Sequence, residues 1–310
     1  MDIKNVSIEE LEQELQQVEK QYKADELSLE FKKILENYRG EDEVIDAFKA
    51  KQFIDEIEKK EKNSWKMFSK IPQLDYLSGG FHPGNLIILT GLTGQGKTCF
   101  SQTLTKNFSE NNFFSLWFTY EVTLKDFLEK FGDDLPCFCV PKNLIDNKIV
   151  WIERKIVEAI VKYNIKVVFI DHLHYLLNLQ EKQNISFAIG EIMQKIKTIA
   201  LKYNIAIVLI THLTKTKFEE AIKLDDIRDS SFIAQYSDFV MAIWRLTYEE
   251  RKRRDNFENG IKFRNEAVLS VLKNRFSGKL GNIKLSHNQT TGLFEVFDNN
   301  KNDNEQQYEN

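Results

Sequence analysis

The stretch LIILTGLTGQGKT at residues 86–98 contains Gly91-Leu92-Thr93-Gly94-Gln95-Gly96-Lys97-Thr98, which fits the phosphate-binding pattern GxxxxGK(S/T). Each position has a use for a polyphosphate. The glycines let backbone N–H groups turn inward around phosphate oxygens, Lys97 reaches the outer phosphates, and the Thr98 hydroxyl can hold Mg²⁺. A helix beginning at Lys97 adds its positive amino end. Thr93, Gln95 and Cys99 fall in the same turn and are grouped with it as nucleotide contacts. The apolar run Leu86–Leu89 before the loop and the helical run Cys99–Leu104 after it supply the expected context. ATP-type nucleotide binding with Mg²⁺ is the expectation; the alternative is a glycine-rich turn that only matches the pattern.

Other residues at the ends of apolar runs carry complementary chemistry. Val167-Val168-Phe169-Ile170-Asp171 ends in a carboxylate that can hold the Mg²⁺ water shell beside a phosphate loop, or else cap a loop. Glu121 follows the run Phe114–Tyr120 and can orient and deprotonate an attacking water; equally, it can be a charge at the start of the next helix. His212 follows Ile205–Ile210 and can sense a γ-phosphate or serve as a satisfied structural histidine, and Lys215 and Lys217 beyond it can contact a phosphate backbone or stay solvated. Lys273 and Arg275 follow Ala267–Leu272. Two cations two apart on a strand point the same way, toward a neighbouring subunit's nucleotide or as an edge pair that discourages aggregation.

These residues need a scaffold that sets strand ends side by side. Strand-like runs at 86–90, 114–119, 166–170, 205–210, 238–243, 267–272 and 281–285 alternate first with helical runs at 97–109, 123–131, 151–163 and 187–203. That alternation predicts an α/β fold with a mostly parallel central sheet and helices on both faces, with ligands in the crevice at the strands' carboxyl ends. The strand-after-strand finish predicts an antiparallel edge. Before this core, residues 1–62 read as a helical arm: a first helix is expected at 7–36, opened by a capping box at Ser7 and Glu10 and broken by Gly40, with a second at about 42–62. Residues 63–84 read as a loop-rich linker, 85–297 as the ATPase domain, and 298–310 as a disordered tail.

The chain has 310 residues and a net charge of −4, unevenly spread: −7 over 1–62, −3 over 297–310 and +6 between them. A mildly basic centre is compatible with a polyanionic partner. No apolar run is long enough for a membrane helix, and the acidic amino end does not resemble a signal peptide, so a cytoplasmic, organellar or phage-infected setting is expected. Cys99, Cys137 and Cys139 cannot all pair, and their spacing fits no usual metal motif.

Taken in order, IPQLDYLSGGFHPGNLIILTGLTGQGKT, WFTYE, VVFIDHL, IVLITHLTKT, DIRDSSFIAQYSDFVMAIWR and VLKNRFSGKLG resemble the RecA-like hexameric replicative helicases: bacterial DnaB, phage primase–helicases and mitochondrial Twinkle. The resemblance covers about 70–296 and implies a RecA-like ATPase core acting as an ATP- and Mg²⁺-dependent, ring-forming DNA helicase. It implies Lys97 and Thr98 for phosphate and Mg²⁺, Glu121 as base, Asp171 as second carboxylate at the metal, and His212 as γ-phosphate sensor. It further implies Gln235 as a link between nucleotide and DNA, Arg245 as a nucleotide contact, and Arg275, with Lys273 beside it, as an arginine finger acting in trans. Loops at about 178–186 and 214–224, which include Lys215, Lys217 and Lys223, would face single-stranded DNA. A separate primase or primase-polymerase is an implied partner. A recombination mediator without unwinding activity and a non-catalytic nucleotide-binding adaptor are the alternatives. The basic insert Arg251-Lys252-Arg253-Arg254 matches nothing in the family pattern.

Overall fold

A computed structural model describes residues 46–60, 65–132, 135–144, 146–177, 185–213, 222–227, 230–245, 266–288 and 291–297. The helix expected at 7–36, the segments 178–184 and 214–221, the insert 251–254 and the tail 298–310 lie outside the described residues. The chain divides into two compact units, 1–63 and 64–310. In the first, α1 (Ala47–Lys60) starts at Asp46, whose Oδ1 accepts from the Phe48 and Lys49 amides at 2.9 Å each. That satisfies amides which the helix itself leaves unpaired.

The second unit contains a nine-stranded sheet. Along the chain its elements are α2 (Pro72–Ser78), β1 (Leu86–Thr90), α3 (Lys97–Ser109), β2 (Ser115–Thr119), α4 (Leu124–Glu129) and β3 (Phe138–Cys139). Next come α5 (Ile149–Tyr163), β4 (Val167–Asp171), α6 (Ile185–Lys202), β5 (Ala206–Ile210), α7 (Ser230–Tyr236), β6 (Phe239–Arg245), β7 (Glu266–Asn274), β8 (Gly281–His287) and β9 (Phe294–Val296). The spatial order is β3-β2-β4-β5-β1-β6-β7-β8-β9. The strands from β3 to β6 run parallel; β6 to β9 form an antiparallel meander. The expected α/β architecture with an antiparallel edge is therefore the observed one.

The short central strands are fully buried because both faces are covered, which is why they read as unbroken apolar runs. Alternate residues feed two cores. Ile88, Phe118, Ile170 and Leu209 meet Ile152 and Ile156 of α5 and Ile189 and Met193 of α6. Ile87, Leu89, Trp117 and Phe169 meet Phe100, Leu104 and Phe108 of α3. Trp117 stacks on Phe169 with centroids 4.5 Å apart, and its Nε1 donates to Thr105 Oγ1 at 2.9 Å, which pins α3 onto β2. A stacked pair of this kind contributes about 0.5–1.5 kcal/mol beyond the area it buries.

Two local readings differ from the sequence expectation. The stretch read as a linker contributes α2 and the buried Met67, Ile71, Leu74 and Phe81 to the second core, closed by a bridge between Met67 and Phe81. Lys273 and Arg275 do not project together. β7 ends at Asn274, whose Oδ1 accepts from the Phe276 and Ser277 amides, so Arg275 already belongs to the turn and strand alternation no longer governs it. The Lys273 ammonium folds onto the carbonyls of Ala234 and Ser237 at the end of α7.

Candidate active site

In the order β2-β4-β5-β1 the strands are parallel, so their carboxyl ends line up. Glu121 stands just past β2, Asp171 ends β4, His212 stands just past β5 and the phosphate loop leaves β1. The loop needs its glycines. Gly96 has φ +95°, and a Cβ there would sit 2.8 Å from the Phe294 ring; at Gly91 a Cβ would sit 2.4 Å from the Ile243 carbonyl oxygen. Gly94 has φ +77° and open space around it.

Lys97 opens α3 and is buried. Its ammonium donates to the Gly91 and Leu92 carbonyls at 3.0 Å each and lies 3.2 Å from His212 Nδ1. Burial lowers its pKa to about 8, against the opposing pull of Asp171 and Glu121. Burial likewise lowers His212 to about 4, helped by the positive charge of Lys97. An uncharged imidazole facing an ammonium must present its lone pair, which assigns Nδ1 as acceptor and the ring proton to Nε2.

Thr98 Oγ1 donates to Asp171 Oδ2 at 2.8 Å. Asp171 is fully buried, and its carboxyl is pushed up by that burial while His172 and the Thr98 hydrogen bond pull it down. Its other oxygen, Oδ1, makes no hydrogen bond among the described residues and lies 3.2 Å from His172 Nδ1. A hydroxyl and a carboxylate with a spare buried oxygen form a hard donor set that fits Mg²⁺.

Glu121 Oε2 lies 2.5 Å from His172 Nε2, and the His172 and His212 ring centroids lie 4.1 Å apart with the rings tilted by 39°. The possible ligand atoms of Glu121, His172 and His212 lie within 4.8 Å of one another. Tetrahedral zinc with bonds near 2.0–2.1 Å wants ligand atoms roughly 3.4 Å apart. Here one pair is at hydrogen-bonding distance and the Lys97 ammonium faces His212, so the trio is read as a hydrogen-bonded network.

On the other flank, Gln95 Oε1 accepts from the Arg245 amide at 2.5 Å, which holds the loop against the end of β6. Phe294 packs over Gly96, its amide donates to Thr103 Oγ1 at 2.8 Å, and the His287 ring lies 5.1 Å from it. Sequence reasoning missed His172, His287 and Phe294. The Asp171-His172 dipeptide was a visible signal for the first, whereas the other two reach the loop only through the β7–β9 meander.

The structure thus gathers Gly91, Gly94, Gln95, Gly96, Lys97, Thr98, Glu121, Asp171, His212 and Arg245, with Thr93 and Cys99 in the loop and the first turn of α3. It does not bring Gln235, Lys273 or Arg275 there. Asn274 pairs with Phe239 and Phe239 with Ile87, so Arg275 is level with the amino end of β1, the opposite end of the sheet from the phosphate loop. Its side chain is 62% exposed, 3.7 Å from buried Asp238, which also binds Lys197 at 2.5 Å. Gln235 is exposed on α7, which leads into the amino end of β6. Lys223 is exposed and its amide donates to Asp226 Oδ2; Lys215 and Lys217 lie outside the described residues.

Comparison with known proteins bears on the fold and the family. The family model described as DnaB-like helicase C terminal domain matches residues 141–296. The replicative DNA helicase DnaB of Rickettsia typhi is 26% identical over a match covering 71% of this chain and 55% of that protein. That of Mycoplasma pneumoniae is 24% identical, covering 73% and 56%. The chain therefore spans about half the length of the curated relatives it matches. Among solved structures, the ATPase domain of G40P superposes with TM-score 0.67 at 16% identity, over 83% of this chain and all of that one. A DnaB-like replicative helicase, described with its interactions with primase, superposes at 0.65 with 17% identity over 92% and 75%. At these identities the superpositions speak for the fold, and the family match over half the chain speaks for descent. The chain belongs to the family of DnaB-like helicase C-terminal domains.

Proposed function

We propose that this chain is the ATP-hydrolysing motor of a ring-shaped replicative DNA helicase, which unwinds duplex DNA while tracking along one strand. One observation carries the reading. Lys97, Thr98, Glu121, Asp171 and His212 converge at one end of the sheet, while Arg275 stands exposed at the other, out of reach of its own chain's phosphate loop. A site divided in this way belongs to an assembly, and a ring of six is the assembly that the family resemblance implies.

In this reading the loop amides and Lys97 hold the phosphates of ATP. Thr98 and Asp171 hold Mg²⁺, which when bound neutralises charge on the phosphate oxygens. Glu121 orients the attacking water and takes its proton. His212, in contact with Lys97, registers whether the outer phosphate is present. Arg275 from the next subunit stabilises the charge that develops on the transferred group. Lys215, Lys217 and Lys223 contact single-stranded DNA, and Gln235 links that contact to the nucleotide. The amino-terminal segment latches neighbouring subunits or recruits a separate primase, a partner type named for one structural neighbour. No described helix is long and apolar enough to cross a membrane.

The test is strand displacement on a forked duplex with ATP and Mg²⁺, with phosphate release followed in the same sample and Lys97→Ala as the control. DNA-stimulated hydrolysis with displacement is expected. Hydrolysis without displacement would identify a DNA-dependent ATPase that does not unwind, and binding without hydrolysis would identify an adaptor.

A further inference from the structure

His172 has no part in the roles assigned so far, yet it is the buried centre of the site. Its side chain is 3% exposed, and its backbone carbonyl accepts from the Tyr175 amide at 3.2 Å. The ring is confined on three sides: Nε2 against Glu121 Oε2 at 2.5 Å, Nδ1 facing Asp171 Oδ1 at 3.2 Å, and the His212 ring in tilted contact with centroids 4.1 Å apart. Glu121 is held far less. It lies in a bend between β2 and α4 with its side chain 36% exposed. Among the described residues, the contact with His172 is the one hydrogen bond its carboxylate makes.

A glutamate with several free torsions samples many positions, and fixing such a side chain costs rotamer freedom. A base must meet its water within hydrogen-bond reach, and misplacement by about 1 Å can cost roughly 10²-fold in rate. The imidazole wedged between Asp171 and His212 supplies that fixation. We infer that His172 is a positioning residue for hydrolysis: its buried ring clamps one oxygen of Glu121, leaves the other free to face the attacking water, and joins the base to His212 by ring contact. The inference rests on Glu121 being the base.

Three substitutions separate this role from a structural one. His172→Leu removes the hydrogen bond, His172→Asn keeps polarity but is too short to reach Glu121, and His172→Gln can still present an N–H to it. The expected result is a 10- to 100-fold fall in kcat for Leu and Asn, with Kd for a non-hydrolysable ATP analogue within twofold of wild type. Gln should recover most of the rate. A variant that misfolds would lose analogue binding as well as rate, and the remaining pair would still discriminate. The inference is overturned if Leu or Asn keeps kcat within twofold while Glu121→Gln is inactive, if Gln is no better than Asn, or if analogue affinity falls in step with kcat in variants whose circular dichroism and melting match wild type. Full turnover by Glu121→Gln is a different failure, because it removes the reading of Glu121 itself.

Discussion

If Arg275 serves a neighbour's nucleotide, two inactive variants should repair each other. Arg275 is level with the amino end of β1, and the phosphate loop leaves the other end of that five-residue strand. At about 3.3 Å per residue the separation along the sheet is roughly 15 Å, beyond the span of an arginine side chain. Within one chain the two groups therefore cannot share a phosphate. Arg275→Ala alone should lower kcat by about 10³–10⁵, equivalent to roughly 4–7 kcal/mol of transition-state stabilisation, while leaving nucleotide binding largely intact. Lys97→Ala alone should be inactive through loss of phosphate contact. In an assembly from equal amounts of both, a complete site needs its loop from an Arg275→Ala subunit and its finger from a Lys97→Ala subunit. Random mixing makes about one site in four complete, so independent sites give about a quarter of wild-type hydrolysis. The assay is phosphate release after subunit mixing, across a series of ratios. A mixture no more active than the sum of its parents would refute the shared site, and full turnover by Arg275→Ala alone would remove the residue from catalysis.

Two further outcomes follow from individual contacts. Gly91→Ala places a Cβ 2.4 Å from the Ile243 carbonyl oxygen, so the loop must shift off β6; at least tenfold weaker nucleotide binding is expected in a fluorescent-analogue titration, and unchanged affinity would contradict the close packing. Cys139 is partly buried, and burial together with Glu158 raises its thiol pKa from 9.0 to about 11. The thiolate is the reactive form, so at pH 8 its population is lower by roughly 100-fold than for a thiol at the reference value, and alkylation should rise about tenfold per pH unit up to about 11. Mass spectrometry should find Cys137, which is exposed, modified first; equal rates at pH 8 would show that residue 139 is open to solvent.

The parts legible in the sequence were those where local pattern and tertiary role coincide. The helix expected at 97–109 is the one observed, because its start is set by the glycine loop and its buried face by Phe100, Leu104 and Phe108. The central strands are apolar throughout because they are covered on both sides, and this left Glu121, Asp171 and His212 conspicuous as polar residues at their ends. Other features depend on partners far along the chain. α2 lies in a stretch rich in proline and glycine, and it forms because Leu74 has a core to enter and Asp75 Oδ1 accepts from the Ser69 amide and hydroxyl at 2.7 Å each. Lys273 was paired with Arg275 by strand alternation, but the carbonyls closing α7 offered its ammonium partners that no spacing rule contains. Phe294 meets Gly96 across nearly the whole length of the domain, so its position beside the loop becomes visible only once the meander is folded.

On the reading that Arg275 serves a neighbour's phosphate loop, the placement of the two at opposite ends of the sheet also fixes a symmetry. Each subunit then carries a receiving end and a donating end, and two subunits meeting through them cannot be related by a twofold axis, because that would set like ends together. The contact is heterologous: it propagates head to tail until the rotation per step closes a ring or continues as a helix. An open row always has one loop without a finger and one finger without a loop, at its two ends. Closure removes both, so the last subunit to join completes two active sites at once.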